Sequence, residues 1–521
     1  MVIQDRFANF RLLYDLVFIR HCERSASPVG LWPREAIYSS GLLRRDYPPR
    51  NDKEDMAVKR ARKVAYDVIV IGGGSAGLSA AFSARQAGAK VALIAAGKIG
   101  GDCPNYACVP TKSMLAAALL YDEMRHAAKF GIHAKQISLD IPAMMARKDG
   151  VVNAMTGHRR IEKILENEGV TLFRGEASFV DDESVKVGTN LLSARSFVIA
   201  TGSVPRIPTI AGIEDADVWT PREATSIRGL PESIAILGAG PVGCEFATFF
   251  SLCGVPVVMF DIANRLLPRE DEELGALIQK TLLHRGVTFH GNTRLLGVTK
   301  QKHRIRVTYQ TGDATRKTMT VQNLLIASGR VPNVASLGLK NTKAKIDAHG
   351  NLIFDASLRV KGSSLFLAGD VSMLMPYTHT AHYEGVLAGE NAAQLAKGKK
   401  VFQKIDLTVV PRVTFVTPEL ASVGASVDEL QKIKASFAIW KFPVGALGRA
   451  VIEGERQGLL KVFVEKSSDR ILGAHMLGYR AGEVIHELAL AMFADVSFTK
   501  VQAMIHAYPT MSEAIPGLIP S

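Results

Sequence analysis

The chain has 521 residues, 47% of them hydrophobic and 22% charged. At roughly 150 residues per domain this is material for about three to four domains, and the composition is that of a globular protein, so a single small module and wholesale disorder are both excluded. The net charge is +13, which favours anionic partners such as dinucleotides and phosphates. No arginine-rich tract, helix-turn-helix or RNA-binding signature accompanies it, and nucleic acid is not expected as a partner. Five cysteines are too few for a secreted disulfide scaffold of this size and point to a reducing, cytoplasmic compartment. The longest apolar stretch, Ile234 to Phe260, is broken by Pro241, Glu245, Gly254 and Pro256, so a spanning helix of about 20 residues is not expected.

Residues 1–63 read as an extension of unknown role. They are basic, but they also carry Asp5, Asp15, Glu23, Glu35, Asp46, Asp52, Glu54 and Asp55, unlike an acid-poor transit peptide, and no signal-peptide pattern follows. Arg20-His21-Cys22 has no surrounding domain to orient it, and Met56 is an alternative start.

From Asp67 the texture changes. Val68-Ile69-Val70-Ile71 reads as a strand, Gly72-Gly73-Gly74-Ser75-Ala76-Gly77 as a Gly-x-Gly-x-x-Gly turn, and Leu78-Ser79-Ala80-Ala81 as the start of a helix. Gly72 permits the tight turn, Gly74 lets backbone approach a pyrophosphate, Gly77 allows close helix packing, and the helix N-terminus attracts the anion. A domain's length further on the pattern recurs: Ile234-Ala-Ile-Leu, then Gly238-Ala239-Gly240-Pro241-Val242-Gly243, then Cys244-Glu245-Phe246. One such motif is weak evidence, whereas two imply two dinucleotides, one held permanently and one exchanging.

An acid at the end of the second strand of each unit accepts ribose hydroxyls. Val257-Val258-Met259-Phe260 ends at Asp261, which suits NADH over NADPH, although Arg265 is near enough to leave NADPH possible. Val91-Ala92-Leu93-Ile94 ends instead at Ala95. A hydrogen bond to a charged acceptor is worth about 1.5–3 kcal/mol, so the first cofactor is expected to be held more weakly there.

Gly100-Gly101-Asp102-Cys103-Pro104-Asn105-Tyr106-Ala107-Cys108-Val109-Pro110-Thr111-Lys112 follows. A zinc site needs a second pair of ligands, and none is nearby, so a redox disulfide is the better reading. The spacing of the two cysteines is about 7.5 Å of rise in a regular helix, beyond the ~7 Å limit on Cα separation in a disulfide. A looped or distorted segment is therefore expected, and Lys112 supplies positive charge that stabilises a thiolate. Cys244 and Cys253 read as buried small hydrophobes, and Met373 and Met375 as packing residues. His379 and His382 flank a region that would cover a cofactor.

With these motifs together, and with Ala200-Thr201-Gly202-Ser203, Ala327-Ser328-Gly329-Arg330-Val331-Pro332-Asn333 and Leu367-Ala368-Gly369-Asp370, the chain resembles the pyridine nucleotide-disulfide oxidoreductases from about Tyr66 to Glu513. These are the flavoproteins that include dihydrolipoamide dehydrogenase, glutathione reductase and mercuric reductase. The resemblance implies an α/β protein with two Rossmann-like dinucleotide-binding domains and a C-terminal α+β dimerisation domain: FAD domain 64–211 and 335–404, NAD(P) domain 212–334, dimerisation domain 405–521, and a homodimer. It implies cofactor contacts from Gly72, Gly74, Gly77, Gly101, Asp102, Lys112, Thr201, Gly202, Gly238, Gly240, Gly243, Asp261, Gly329, Arg330, Gly369 and Asp370. Electrons would pass from NAD(P)H through FAD to the disulfide. Cys108 would face the flavin, Cys103 would exchange with substrate, and Lys112 would pair with Glu245.

The C-terminal loop departs from the pattern. It reads His506-Ala507-Tyr508-Pro509-Thr510-Met511-Ser512-Glu513, with Tyr508 where the disulfide reductases carry the histidine that pairs with Glu513 for acid/base work. A phenol with an ordinary pKa near 10 is poorly suited to neutral proton transfer. Tyr508 moves the resemblance towards mercuric reductase, without that enzyme's C-terminal cysteine pair or Cys-containing N-terminal domain. The expected acceptor is a small disulfide, a metal ion or another thiol-reactive molecule; no resident metal is expected. The alternatives are an NADH-dependent flavin or quinone reductase with an idle disulfide, dihydrolipoamide dehydrogenase-type activity, and a scaffold that has lost its cofactor.

Overall fold

A computed structural model describes residues 63–347 and 351–521; the readings made on Arg20, His21, Cys22 and Met56 lie outside these. The first apolar run becomes the strand Lys63–Ile71, with Val68, Ile69 and Val70 fully buried. It pairs in parallel with Val91–Ala95 on one side and Asn190–Ile199 on the other. Continuous apolar runs such as these suit a parallel sheet covered on both faces. The seven-stranded sheet is completed by Thr171–Arg174, Ser184–Val187, Ala177–Asp181 and the distant Leu365–Leu367.

Two helices pack together beside this sheet, Ser75–Gln86 after the first glycine turn and Thr378–Ala396. Their approach is as close as backbone allows: a Cβ on Gly385 would lie 2.3 Å from the Ala76 carbonyl oxygen, and one on Gly389 2.3 Å from that of Ala80. The small residues therefore fix where the second helix begins, beside the cysteine segment.

The second unit repeats the plan with Thr288–His290, Val257–Phe260, Ile234–Leu237 and Asn323–Ile326, all parallel, and adds an antiparallel three-stranded sheet, Arg294–Gln301, Arg304–Gln310 and Arg316–Val321. The two units are stitched by a short antiparallel pair, Ser203–Pro205 with Arg330–Pro332. The C-terminal part is a six-stranded antiparallel sheet in the order Arg412–Thr414, Glu419–Gly424, Ile471–Gly478, Leu459–Glu465, Phe437–Pro443, Ile519–Pro520, packed against the helix Ala481–Phe493. Alternation of parallel and antiparallel units bears out the α/β plus α+β expectation.

The C-terminal sheet is joined to the second unit by buried charge. Lys461 Nζ lies 2.6 Å from Asp271 Oδ2, with side chains 6% and 2% exposed, and Arg412 pairs with Glu270 at 3.3 Å. Ser422 Oγ also donates to Glu270 at 2.9 Å. Among the described residues no helix is long and apolar enough to cross a membrane.

Candidate active site

The two glycine turns are built alike, atom for atom. Gly72 N–H donates to the Ile94 carbonyl at 2.8 Å and Gly238 N–H to that of Phe260 at 2.8 Å. A Cβ on Gly72 (φ 119°) would strike the Ala200 carbonyl oxygen at 2.1 Å, and one on Gly238 (φ 122°) that of Ala327 at 2.3 Å. Gly77 presses on the Gly72 carbonyl and Gly243 on that of Gly238. The middle glycines differ: a Cβ on Gly240 would meet nothing within 4 Å, and one on Gly74 only Gly101 Cα at 3.7 Å. Both therefore keep open space at a helix N-terminus, where a pyrophosphate is stabilised.

The matched registers make Ala95 the counterpart of Asp261, because Ile71 pairs with Ile94 as Leu237 pairs with Phe260. Asp261 accepts from Ala239 N–H at 2.6 Å through Oδ2 and from Ala263 N–H at 2.7 Å through Oδ1. It thus fastens its own glycine turn as well as placing negative charge at the strand end. Ala95 is buried beneath Gly73 and fastens nothing with its side chain. Arg265, which the sequence left near Asp261, donates instead to the carbonyls of Leu267, Pro268 and Glu270 at 3.0–3.1 Å. Its guanidinium is occupied in holding the loop.

The cysteine segment is interrupted, as the spacing requires. A short helix Asp102–Tyr106 stops at Ala107 (φ −123°, ψ −95°), and Cys108 opens the helix Cys108–Arg125. Asn105 braces the first piece by donating to the carbonyls of Ile99 and Gly101 at 3.1 and 2.8 Å. Tyr106 is held under the Arg222 guanidinium at 4.2 Å, and its carbonyl accepts from Thr225 Oγ1 at 3.1 Å. Gly101 approaches Gly74 so closely that a Cβ there would lie 2.8 Å from Gly74 Cα, which seats the cysteines at the first glycine turn.

Cys103 and Cys108 are free, half-buried thiols whose acidities are pushed apart. Interaction with the Cys108 thiol, together with burial, raises the Cys103 pKa. Interaction with the Cys103 thiol, the Lys112 ammonium and the Thr378 hydroxyl pull Cys108 down to about 6 against the opposing effect of burial. Lys112 Nζ donates to Glu245 Oε2 at 2.7 Å and lies 4.8 Å over the Phe415 ring, while Phe415 N–H donates to Glu245 Oε1 at 3.1 Å. A thiol of lowered pKa beside one of raised pKa, next to a fixed ion pair, is an arrangement for thiol–disulfide exchange.

Around it, Arg330 links the remaining expected residues. It donates to Asp102 Oδ2 at 2.7 Å and to Ser203 Oγ at 2.6 Å, and Ser203 Oγ donates to Asp370 Oδ2 at 2.8 Å. Thr201 and Gly202 are drawn in by Asn333, whose backbone N–H donates to the Gly202 carbonyl at 3.0 Å and whose side chain reaches the Thr201 carbonyl at 3.4 Å. Arg206 N–H reaches the Gly329 carbonyl at 2.9 Å. Thr201 Oγ1 is buried without a hydrogen-bond partner among the described residues, a donor and acceptor poised for a bound polar group.

Two residues went unremarked in the sequence. Glu384 is fully buried, accepts from Gly369 N–H at 2.8 Å and from Ser372 Oγ at 3.0 Å, and burial pushes its carboxyl up to about 7. Thr378 Oγ1 lies 3.6 Å from Cys108 Sγ. Neither stands in a motif of its own; in the run Tyr377-Thr378-His379-Thr380-Ala381-His382 the sequence signal lies in the two histidines. His382 is tied to Ser79 at 2.7 Å and His379 stacks on Tyr377. Cys244 is buried in the core and Cys253 packs against it, their thiol pKa values raised by burial.

The C-terminal loop is not brought to the cysteines of its own chain by any hydrogen bond or ion pair among the described residues. Tyr508 is 78% exposed and packs on Gly448. Glu513 accepts from Thr510 N–H at 3.0 Å, capping the turn that follows. His506 does not take over the missing histidine's place: its Nε2 meets Glu487 Oε1 at 2.6 Å on the helix Ala481–Phe493, and its side chain is 4% exposed.

Residues 66–385 match the family described as pyridine nucleotide-disulphide oxidoreductase, and residues 410–519 its dimerisation domain. The chain is 31% identical over 459 residues to mercuric reductase of Staphylococcus aureus, covering 86% of this chain and 81% of that one. It is 33% identical over 452 residues to dihydrolipoyl dehydrogenase of Thermus scotoductus, covering 86% and 96%. The solved structure of the HOCl-induced flavoprotein disulfide reductase RclA from Escherichia coli, as its Cu(II) complex, superposes with a TM-score of 0.77 at 26% identity, covering 87% of this chain and 98% of that one.

Proposed function

Because the chain belongs to the pyridine nucleotide-disulphide oxidoreductases, an FAD-dependent family that uses NAD(P)H, we propose that it passes electrons from NADH to a small thiol-reactive acceptor, a disulfide or a soft metal ion, through Cys103 and Cys108. The observation that carries this reading is the placement of the two cysteines at the first glycine turn, Gly101 close against Gly74, with Cys108 opening the helix from which Lys112 reaches Glu245 at 2.7 Å. FAD, when bound, supplies the chemistry that accepts hydride and returns two electrons to a disulfide.

The residues present fit that group. Open space at Gly74, the unpartnered Thr201 Oγ1 and the Arg330–Ser203–Asp370 chain supply a backbone approach, a free hydroxyl and an anchored carboxylate. Gly72, Gly74, Gly77, Gly101, Asp102, Thr201, Gly202, Gly369 and Asp370 would hold it, with Lys112 beside its reactive part. NADH would lie on Gly238, Gly240 and Gly243. Asp261 repels a 2′-phosphate, and Arg265, committed to three carbonyls, is not offered to one, so NADH is favoured over NADPH.

In the reduced pair Cys103 attacks the acceptor. With a disulfide RSSR as acceptor, that attack forms the Cys103–SR mixed disulfide and expels the first R group as RSH, which takes the Cys103 proton; the Cys108 thiolate then attacks Cys103 Sγ, re-forming the Cys103–Cys108 disulfide and releasing the second R group as thiolate. The dimerisation domain makes the working form a homodimer, with Tyr508 and Glu513 serving a neighbouring subunit's cysteines. A phenol in place of imidazole favours acceptors that need no proton from that position. The Cys103→Ser variant is expected to lose turnover with both low-molecular-weight disulfides and Hg(II); undiminished turnover would overturn the proposal.

A further inference from the structure

We propose that Arg222 is a positioning residue of the FAD site, sharing the Asp102 carboxylate with Arg330 and so offsetting a negative charge that stands where the cofactor's pyrophosphate must approach the first glycine turn; this rests on the reading of that turn as the FAD site.

Asp102 directly follows Gly101, whose backbone comes so near Gly74 that a Cβ on Gly101 would lie 2.8 Å from Gly74 Cα. Gly74 in turn caps the helix Ser75–Gln86. The Asp102 carboxylate is thereby brought close to the end of the helix that attracts an anion, and alone it would repel a pyrophosphate there. It is not alone. Its two oxygens are taken separately, Oδ1 by Arg222 at 3.0 Å and Oδ2 by Arg330 at 2.7 Å. Arg330 has a second acid to serve, because Asp370 Oδ2 lies 3.8 Å from its Nε, with Ser203 Oγ hydrogen-bonded to both. Two carboxylates therefore face two guanidiniums, and removal of Arg222 leaves one guanidinium for both.

Arg222 reaches Asp102 because its own segment is fixed from the second dinucleotide unit. Trp219 N–H donates to the Leu324 carbonyl at 2.8 Å and Ile326 N–H to the Trp219 carbonyl at 2.7 Å, which adds the segment to the edge of that unit's parallel sheet. Thr220 and Glu223 close a capping box around the short helix Pro221–Ala224 that carries Arg222. Beyond it, the buried Lys148 donates to the Thr225 carbonyl at 2.9 Å, and Thr225 Oγ1 donates to the Tyr106 carbonyl at 3.1 Å. The Arg222 guanidinium also lies 4.2 Å over the Tyr106 ring, and Lys98 adds a third cation 5.3 Å from that ring. An exposed ion pair contributes little to stability in water, and the Arg222 side chain is 56% exposed, so the fold itself depends little on this contact. Its weight comes with a bound pyrophosphate, which displaces water beside Asp102 and strengthens every charge interaction there.

The test is a double-mutant cycle on the FAD Kd of the flavin-stripped full chain, read by quenching of flavin fluorescence. Arg222→Gln is expected to raise the Kd about tenfold, and Arg222→Lys, which keeps the charge, to stay within about threefold of the wild type. In an Asp102→Asn background Arg222→Gln is expected to change the Kd by less than about twofold, because the carboxylate it offsets is gone. A Kd for Arg222→Gln within about twofold of the wild type, or a tenfold loss that persists in the Asp102→Asn background, would overturn the inference, the second result assigning Arg222 to the support of Tyr106 alone. Failure of the broader reading is seen separately, as a wild-type chain that leaves FAD fluorescence unquenched.

Discussion

Replacing Ala95 by Glu should tighten FAD binding. Ala95 ends the strand Val91–Ala95 in the register that Asp261 occupies in the second unit, and its Cβ lies directly beneath the first glycine turn, 2.9 Å from where a Gly73 Cβ would be. A carboxylate leaving the chain at that point emerges at the cofactor's adenosine end, where ribose hydroxyls are the expected donors. Each charge-assisted hydrogen bond contributes about 1.5–3 kcal/mol. Two would contribute more, but the free carboxylate gives up solvation at a buried strand end, so about 1.5–3 kcal/mol is a fair net figure. That corresponds to a Kd about 10- to 100-fold lower. Fluorescence quenching of FAD by flavin-stripped protein measures it directly. An Ala95→Glu affinity within twofold of the wild type would refute the assignment of Ala95 as the missing ribose acceptor.

Three further outcomes follow from the geometry. Lys461→Met leaves Asp271, 2% exposed, as an uncompensated buried charge; a loss of about 3–5 kcal/mol and a fall in Tm of roughly 10 °C are expected by calorimetry, with Lys461→Met/Asp271→Asn recovering most of it. The Cys108 pKa lies below the ordinary thiol range, at about 6, so the thiolate is present above that pH and lost as pH falls through it. The long-wavelength absorbance of the reduced enzyme should therefore fade near pH 6, and fading near pH 9 would contradict the electrostatic account. Tyr508→His restores an imidazole at the position that departs from the disulfide reductases, and kcat with dihydrolipoamide or glutathione disulfide should rise by at least about tenfold; an unchanged rate would show that Tyr508 is not what limits those acceptors.

Much of the fold was legible because its signals are local. The strand Val257–Phe260 falls where the apolar run lies, and both glycine turns adopt the strained φ that only glycine tolerates. The break at Ala107 follows from the mismatch between helical rise and disulfide reach. The Lys112–Glu245 pair was available only through resemblance, since nothing in the spacing of two residues on separate helices announces a contact. What stayed hidden depends on three-dimensional closure. Arg265 and Asp261 are neighbours in sequence, yet loop curvature turns one guanidinium onto three carbonyls and one carboxylate onto two backbone N–H groups. His506 offered itself as a substitute base, and only the packed helix Ala481–Phe493 shows that Glu487 holds it. Thr378 and Glu384 were invisible because a hydroxyl and a carboxyl acquire their roles from the groups a distant helix brings to them. The pairs Lys461–Asp271 and Arg412–Glu270 join segments far apart in the chain, with no local pattern to mark them.

The most direct test of the central claim is an anaerobic NADH titration of the purified holoenzyme, counting reducing equivalents and following absorbance beyond the flavin bands. Uptake of about four electrons per subunit, with a long-wavelength band that is absent from Cys108→Ser, places the Cys103–Cys108 disulfide in the electron path. Uptake of only about two electrons with no such band would contradict it, leaving the cysteines idle and making quinones the acceptors to examine.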